Sequence, residues 1–234
     1  PDRRAIEGVM AKFARGPVVK PTDKAQDLMY EAWESDDADE SIALARKALK
    51  VSPDCADAYV LLAEEEAETL EEAVELYRQG VAAGERALGK KTFREYAGHF
   101  WGFMETRPYM RAREGLAGCL WQLGSREEAV DHYAAMLKLN PNDNQGLRCR
   151  LLPHLIELGR DEEAERLYRK YKEDSGAVWT YSRTLLDFRR LGDSPEARKA
   201  LQTACEGNPH VPPYLSGRRK MPDELPGYYS PGED

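Results

Sequence analysis

Arginine and tryptophan side chains spread along this chain have the chemistry of a carboxylate-binding surface. The residues are Arg111, Arg150 and Arg183, with Trp121 and Trp179 beside them. The N–H donors of one arginine can hold both oxygens of a carboxylate, and tryptophan offers a large, rigid contact area. We therefore take these five residues as candidate peptide-binding residues. The alternative is that each arginine pairs with a neighbouring glutamate and each tryptophan packs inside the fold.

Residue types that catalyse reactions are present, but not in catalytic arrangements. The four histidines are scattered and show no H-E-x-x-H spacing: His99, His132, His154 and His210. There is no glycine-rich phosphate loop and no G-x-S-x-G motif. The glutamates at 64–66 cannot converge on one substrate atom within a helix, because consecutive helical residues point about 100° apart. We expect no catalytic residues, no metal site and no cofactor. The alternative, an enzyme whose site is hidden in the groove, is supported by no sequence motif.

The cysteines indicate free thiols. All four are widely spaced, with no C-x-x-C pair: Cys55, Cys119, Cys149 and Cys205. Widely spaced cysteines inside helical patterns are typical of buried thiols rather than of disulfides or zinc ligands. Disulfides are rare in a reducing compartment, so we expect a cytoplasmic protein.

Charge and hydropathy exclude two classes of partner. The 234 residues carry a formal net charge of −8, and nucleic-acid binding needs a concentrated basic surface. No apolar run approaches the roughly 20 residues that cross a bilayer. We therefore expect neither a nucleic acid nor a membrane as partner.

A motif that recurs at a fixed period predicts a repeat fold. The stretch "LGSREEAVDHYAAMLKLNP", which begins at Leu123, returns downstream as "LGRDEEAERLYRKY" and again as "LGDSPEARKALQTACEGNP". The alanines in these stretches, Ala129, Ala164 and Ala197, lie 35 and 33 residues apart. This pattern resembles the tetratricopeptide repeat, a helix–turn–helix unit of about 34 residues. The small residue lets two helix axes approach closely, so we expect it to be buried in every unit.

The resemblance implies an all-α fold with right-handed superhelical solenoid geometry and about five helix pairs in one domain. We assign the five units to residues 22–55, 56–83, 110–143, 145–177 and 178–209. Residues 1–21 are then an N-terminal extension and residues 210–234 a proline-rich C-terminal tail. The small residue at the helix crossing of each unit is, in chain order, Ser41, Ala73, Ala129, Ala164 and Ala197. In the last unit Leu185, Phe188 and Leu201 fall at signature positions, which predicts that they pack in the core.

An aromatic-rich insertion interrupts the repeats at residues 84–109. Tyr96, Phe100 and Trp101 are prominent in it. We expect a longer second helix in unit two, a further short helix, and Thr106 as the cap of the next long helix. Either the aromatic residues pack an irregular joint, or they form a second interface.

The tail contains too many prolines to be one long helix. We expect it to run extended along the last repeat, with Val211, Tyr214 and Leu215 covering apolar surface.

Three short motifs narrow the resemblance to one family. "NPNDNQG" from Asn140 and "NPHVPPYL" from Asn208 resemble the suppressor-of-tumorigenicity-seven family and its bacterial tetratricopeptide relatives. "EYAGHFWGFMETRPYMRAR" from Glu95 is similar to the bacterial branch. The resemblance implies a non-enzymatic helical-repeat protein. Eukaryotic members are thought to be membrane-associated. We do not expect that property here, because this sequence has no apolar segment of membrane-spanning length.

The resulting functional hypothesis is a protein-interaction scaffold that binds an extended, acidic peptide segment in the concave groove of the solenoid. Some tetratricopeptide domains hold a C-terminal carboxylate with a lysine and asparagine clamp. The corresponding positions here hold Glu114, Gly118 and Cys149, which argues against that clamp. The alternative is a structural solenoid that self-associates through Tyr96, Phe100 and Trp101, so a homo-oligomer stays open.

Overall fold

Helices account for all regular structure in the part of the chain described by the computed structural model, residues 3–14 and 19–221. Twelve α-helices occur there, with two short 3-10 turns at Phe100–Gly102 and Met104–Thr106. In chain order the helices are α1 (Arg3–Ala14), α2 (Pro21–Glu34), α3 (Ala38–Val51), α4 (Ala56–Glu65), α5 (Leu70–Glu95), α6 (Arg107–Gln122), α7 (Arg126–Leu139), α8 (Leu147–Glu157), α9 (Asp161–Lys170), α10 (Ala177–Leu191), α11 (Pro195–Gly207) and α12 (Val211–Leu215).

The helices divide between two compact units, Pro1–Leu147 and Arg148–Asp234. In the first unit consecutive helices pack as pairs, α2 on α3, α4 on α5 and α6 on α7. The first helix of each pair also packs on the first helix of the next, α2 on α4 and α4 on α6. In the second unit α10 packs on α11. This pairing is the helix–turn–helix repeat architecture predicted from the sequence. The predicted residue boundaries of the five units stay a prediction.

The small residues predicted at the helix crossings are all buried. They are Ser41, Ala73, Ala129, Ala164 and Ala197. The serine tolerates burial because its hydroxyl donates a hydrogen bond of 2.7 Å to the carbonyl of Ala32 in the preceding helix. A small side chain at each crossing lets the two helices approach closely, as the sequence pattern predicts.

The last helix pair is less buried than predicted. Leu185 and Phe188 of α10 are 42% and 55% exposed, and Leu201 of α11 is 45% exposed. The prediction that these three side chains pack in the core is therefore wrong. They occupy signature positions of the repeat, but in this pair those positions face outwards.

The insertion continues α5 through a kink and then turns twice. Gly89 interrupts α5 with a φ of 65°, a conformation that favours glycine. The expected short helix is replaced by the two 3-10 turns. Thr106 occupies the predicted N-cap position of α6, but its hydroxyl makes no capping hydrogen bond and lies instead within hydrogen-bond distance of the carbonyls of Phe100 and Phe103. The segment is thus tied to itself rather than to the start of α6.

The tail differs from its predicted extended form where it is described. Val211–Leu215 form the short helix α12, and Leu215 is 74% exposed, so it does not cover apolar surface. Proline in the first turn is compatible with a helix because that N–H has no partner within the helix. The predicted course of residues 222–234 lies outside the described residues.

Candidate carboxylate-binding site on the first helices

Arg111 of α6 lies in a buried cluster of charged side chains. Its Nε and Nη2 atoms donate to the two carboxylate oxygens of Asp57 in α4, at 2.8 and 2.6 Å. The Asp57 side chain is fully buried and that of Arg111 is 9% exposed. Burial by itself lowers the pKa of the Arg111 guanidinium, but the Asp57 and Glu7 carboxylates outweigh it, so this pKa is raised. Arg111 is therefore a permanent cation inside the first unit.

A second carboxylate is shared by Arg111 and Arg107. The Nη1 atom of Arg111 donates to Oε2 of Glu7 at 2.8 Å, and the Nη1 atom of Arg107 donates to Oε1 at 2.8 Å. Each oxygen of Glu7 thus receives one charge-assisted hydrogen bond from a different arginine. The Glu7 side chain is only 10% exposed. We call the arginine pair Arg107 and Arg111 the carboxylate clamp.

Neighbouring groups hold both arginines of the clamp in place. Arg107 donates its Nε hydrogen to the carbonyl of Trp101 at 3.0 Å, and its guanidinium lies 5.3 Å from the centroid of that indole. The guanidinium of Arg111 lies 5.2 Å from the centroid of Trp33. Cation–π contacts and the Asp57 fork fix the guanidinium planes before any ligand carboxylate arrives. The Nη1 atoms of both arginines therefore point at one place, the carboxylate of Glu7.

The cluster draws on the first helix of all three pairs in the unit. Gln26 of α2 donates to Oδ2 of Asp57 in α4 at 2.7 Å, and Asp57 in turn holds Arg111 of α6. In helical-repeat proteins the first helices line the face that binds partners. The clamp lies on this face.

The group that fills the clamp comes from the chain's own N-terminal helix. Glu7 and Gly8 of α1 are buried, and a Cβ on Gly8 would lie only 2.8 Å from Cγ of Tyr30 in α2. Ile6, Val9 and Met10 of the same helix are 50%, 58% and 52% exposed. Within residues 6–10, α1 thus turns an acidic residue inwards and three apolar residues outwards, the reverse of the usual pattern of apolar packing.

Arg183 and Trp179, predicted to face a ligand, are engaged within the second unit. Arg183 donates to Glu165 at 2.9 Å and also to Asp187, so its guanidinium is tied to two internal carboxylates. Trp179 is fully buried, with its ring stacked on Tyr168 at 5.6 Å. Both side chains are thus engaged as the alternative of internal pairing and packing expects, and their role as ligand contacts stays a prediction.

The remaining predicted residues are more accessible. Arg150 of α8 is exposed and belongs to the second unit, as Arg183 does, whereas Arg111 belongs to the first. Trp121 is half-buried and packs against the core of the first unit. The guanidinium of Arg126 lies 5.1 Å from the centroid of the Trp121 ring. The role of Arg150 and Trp121 in binding stays a prediction.

The aromatic insertion packs within its own unit. Phe100 is fully buried and contacts Phe93, with ring centroids 5.1 Å apart. Tyr96 stacks on Phe103 at 3.7 Å, and Trp101 lies under Arg107. Phe100 is enclosed by its own unit, and self-association through Tyr96, Phe100 and Trp101 stays a prediction. Tyr96 and Trp101 are half-buried.

Sequence reasoning missed most of this cluster. Arg107 precedes Arg111 by four residues, a spacing that places two side chains on one helix face, and this signal was available. Asp57 is an acidic residue within the otherwise apolar stretch "CADAYVLLA", which is a weaker signal. Glu7 lies 104 residues from Arg111, and no local pattern connects them.

Within residues 3–14 and 19–221, no group of three or more histidine, cysteine, aspartate or glutamate side chains is arranged to hold a metal ion. Over the same ranges, no helix combines the length and the apolar character needed to cross a bilayer.

Comparison with known proteins decides the family. A family model described as "ST7 protein" matches residues 19–225. The chain belongs to the ST7 family. This confirms the resemblance that the three sequence motifs indicated.

Relatives in animals are similar over most of this ST7-family chain. "Suppressor of tumorigenicity 7 protein-like" of Bos taurus is 31% identical over 219 residues, covering 84% of this chain and 39% of the relative. "Protein ST7 homolog" of Caenorhabditis elegans is 29% identical over 237 residues, covering 83% of this chain and 43% of the relative. The chain thus spans about two fifths of the length of the curated relatives it matches.

A solved structure supports the fold. The chain is similar to YrrB, described as a TPR protein with an unusual peptide-binding site, with a TM-score of 0.58 and 16% sequence identity. The match covers 91% of this chain and 97% of YrrB. This similarity shows the tetratricopeptide-type fold.

Proposed function

We propose that this ST7-family chain is a non-catalytic, cytoplasmic scaffold that binds an acidic protein segment on the face formed by α2, α4 and α6. The observation that carries the proposal is the carboxylate clamp, in which Arg107 and Arg111 each donate to one oxygen of the Glu7 carboxylate. A site that already holds one carboxylate in this geometry has the chemistry to hold another.

The ligand segment is helical in this proposal, rather than extended as the sequence alone predicted. The only occupant of the clamp in the described residues, Glu7, lies on a helix of 12 residues. The peptide-binding site named in the description of YrrB is consistent with binding by this fold.

Electrostatics favour replacement of Glu7 by another carboxylate. With Glu7 in place, two arginines face two carboxylates, Glu7 and Asp57. When α1 leaves, Asp57 alone faces both cations, and a buried site with excess positive charge attracts an anion. The helix α1 then competes with the partner for the same two arginines.

The proposal is tested by moving the natural occupant from the chain to a separate peptide. Glu7→Arg places a third cation in the clamp, which should displace α1. A labelled peptide of residues 3–14 should then bind this variant at least about tenfold more tightly than it binds the parent chain, whose attached helix competes at high effective concentration. Fluorescence anisotropy measures both dissociation constants, and raised salt should weaken the complex.

Matched variants identify the clamp as the binding site. The same peptide with glutamine in place of its glutamate should lose its affinity for the Glu7→Arg chain. The unchanged peptide should likewise bind weakly to the double variant Glu7→Arg with Arg107→Gln. Lys50→Gln changes an exposed cation of α3 outside the clamp and should leave binding unchanged. Equal binding of the glutamate and glutamine peptides would contradict the proposal.

A further inference from the structure

A groove lies on the side of α6 opposite to the carboxylate clamp. It has a volume of about 1040 Å³ and is bordered by α5, α6 and α7. Tyr109 and Arg113 of α6 line it, whereas Arg107 and Arg111 of the same helix form the clamp. Two residues along an α-helix correspond to a rotation of about 200°, so the two pairs point to nearly opposite sides of α6. The groove and the clamp are therefore separate sites.

The floor of the groove is apolar. Phe93 and Tyr109 meet edge to face with ring centroids 5.0 Å apart, and Leu139 with Ala135 of α7 forms the opposite wall. Phe93 and Leu139 are half-buried, so they present apolar surface to the groove. An apolar floor bounded by helices is the usual seat of a helix bound in a groove.

The rim of the groove is basic. Five of the lining residues are basic and one, Glu85, is acidic, in a chain whose formal net charge is −8. Lys90 and Arg94 border the groove on the α5 side and Lys138 on the α7 side, and all three are exposed. Among the described residues none of these three has an ion-pair partner. Unpaired cations on both rims complement an acidic ligand.

The length of the groove suits a helix. Its lining positions on α5 recur every three or four residues from Ala82 to Arg94, and Ala97 follows beyond the end of that helix. At about 1.5 Å per residue the stretch from Ala82 to Arg94 is roughly 18 Å long, which corresponds to about three helical turns of a ligand. The kink at Gly89 lies within it.

We propose that this groove binds an amphipathic acidic helix of a partner protein, with the apolar face of that helix on Phe93, Tyr109 and Leu139. Acidic residues on both flanks of the bound helix pair with Lys90 and Arg94 on one rim and with Lys138 on the other. The groove is thus a second protein-binding site, independent of the clamp.

The test uses the full chain and synthetic peptide probes. One labelled peptide of about 14 residues carries leucines at helical spacing and glutamates on both flanks, the second has lysines in place of the glutamates, and the third shuffles the first. Fluorescence anisotropy should show binding of the first peptide, at least about tenfold weaker binding of the other two, and weakening by salt.

Variants of the rim decide where the peptide binds. Lys138→Glu and the double change Lys90→Glu with Arg94→Glu should each weaken the acidic peptide about tenfold or more. Lys50→Glu reverses an exposed cation elsewhere and should change its affinity less than about twofold. Because these rim residues are exposed, circular dichroism and the melting temperature should match those of the parent chain.

Three results would overturn the inference. The first is equal binding of the acidic and basic peptides, and the second is a rim variant that binds the acidic peptide as tightly as the parent chain. The third is co-sedimentation with phosphatidylserine vesicles that is lost in Lys138→Glu, without any binding of the acidic peptide. Arg107→Gln changes the clamp and should leave binding of the acidic peptide to the groove intact. A negative result for the groove is therefore distinct from a negative result for the clamp.

Discussion

Asp57 is the residue on which the buried charge cluster depends. Its fully buried carboxylate accepts hydrogen bonds from Gln26 and from two nitrogens of Arg111. A buried ion pair adds little stability compared with apolar packing, but the loss of one partner leaves the other charge uncompensated. Asp57 is therefore necessary because it compensates the buried charge of Arg111, which in the proposed function binds a carboxylate together with Arg107.

We predict that Asp57→Asn lowers the free energy of unfolding by about 3–5 kcal/mol, since the Glu7 carboxylate alone then balances the charges of Arg107 and Arg111. Urea denaturation followed by circular dichroism measures the change. The matched control is Asp54→Asn, which removes a more exposed ion pair with Arg86 and should cost no more than about 1 kcal/mol. A similar effect of both changes would show that the cluster is not buried as described.

At the scale of elements, α6 is the helix on which both proposed sites depend. It packs closely on α5 and α7 and presents the clamp on one side and the groove on the other. Close packing requires small residues at its contacts. Gly115 is one of them, since a Cβ there would lie 2.2 Å from Cε1 of Tyr77 in α5.

We predict that Gly115→Ala destabilises the chain by about 1–3 kcal/mol, because the buried Tyr77 ring has to move to admit the new methyl group. Gly118→Ala is the control within the same helix, since the nearest atom to its new methyl group would be the Tyr133 hydroxyl oxygen at 3.8 Å. That change should be neutral or stabilising by up to about 1 kcal/mol, because alanine favours a helix over glycine. Thermal denaturation of the two variants distinguishes a packing effect from helix propensity, and equal melting temperatures would contradict it.

At the scale of the whole molecule, charge is distributed unevenly. The chain carries a net charge of −8, yet the clamp and the groove of the first unit each present arginine or lysine to a ligand. An acidic surface around local basic sites steers acidic partners to those sites and repels them elsewhere.

The labelling rates of the cysteine thiols report on how deeply the folded chain buries them. Burial, assisted by the charge of Asp57, raises the pKa of the Cys55 thiol to about 12, and none of the four cysteines forms a disulfide in the structure. Because the thiolate is the reactive form, we predict that Cys55 is labelled at pH 8 far more slowly than Cys205, whose side chain is partly exposed. Mass spectrometry of the labelled protein gives the order. All four thiols should react in denaturant, and metal analysis should find no stoichiometric zinc; fast native labelling of Cys55 would contradict its burial.

The sequence by itself determined the helical-repeat fold and the family. Helix pairs are specified locally, by small residues such as Ala129 and Ala164 that recur about every 34 residues, so their pattern is visible along the chain. The motif around Arg107 and Arg111 was also visible, as part of the stretch that resembles the bacterial branch. Local rules therefore predicted the elements and the helix crossings well.

Only the tertiary structure decided which charges meet. Arg111 pairs with Asp57, 54 residues away, and with Glu7, 104 residues away, whereas the sequence grouped it with Arg183, which pairs internally in the other unit. The basic rim likewise joins Lys138 of α7 to a stripe on α5. A charged side chain pairs with whatever the packing brings within hydrogen-bond distance, and that distance is not a property of any local pattern. This is why the repeat could be predicted from the sequence and the clamp could not.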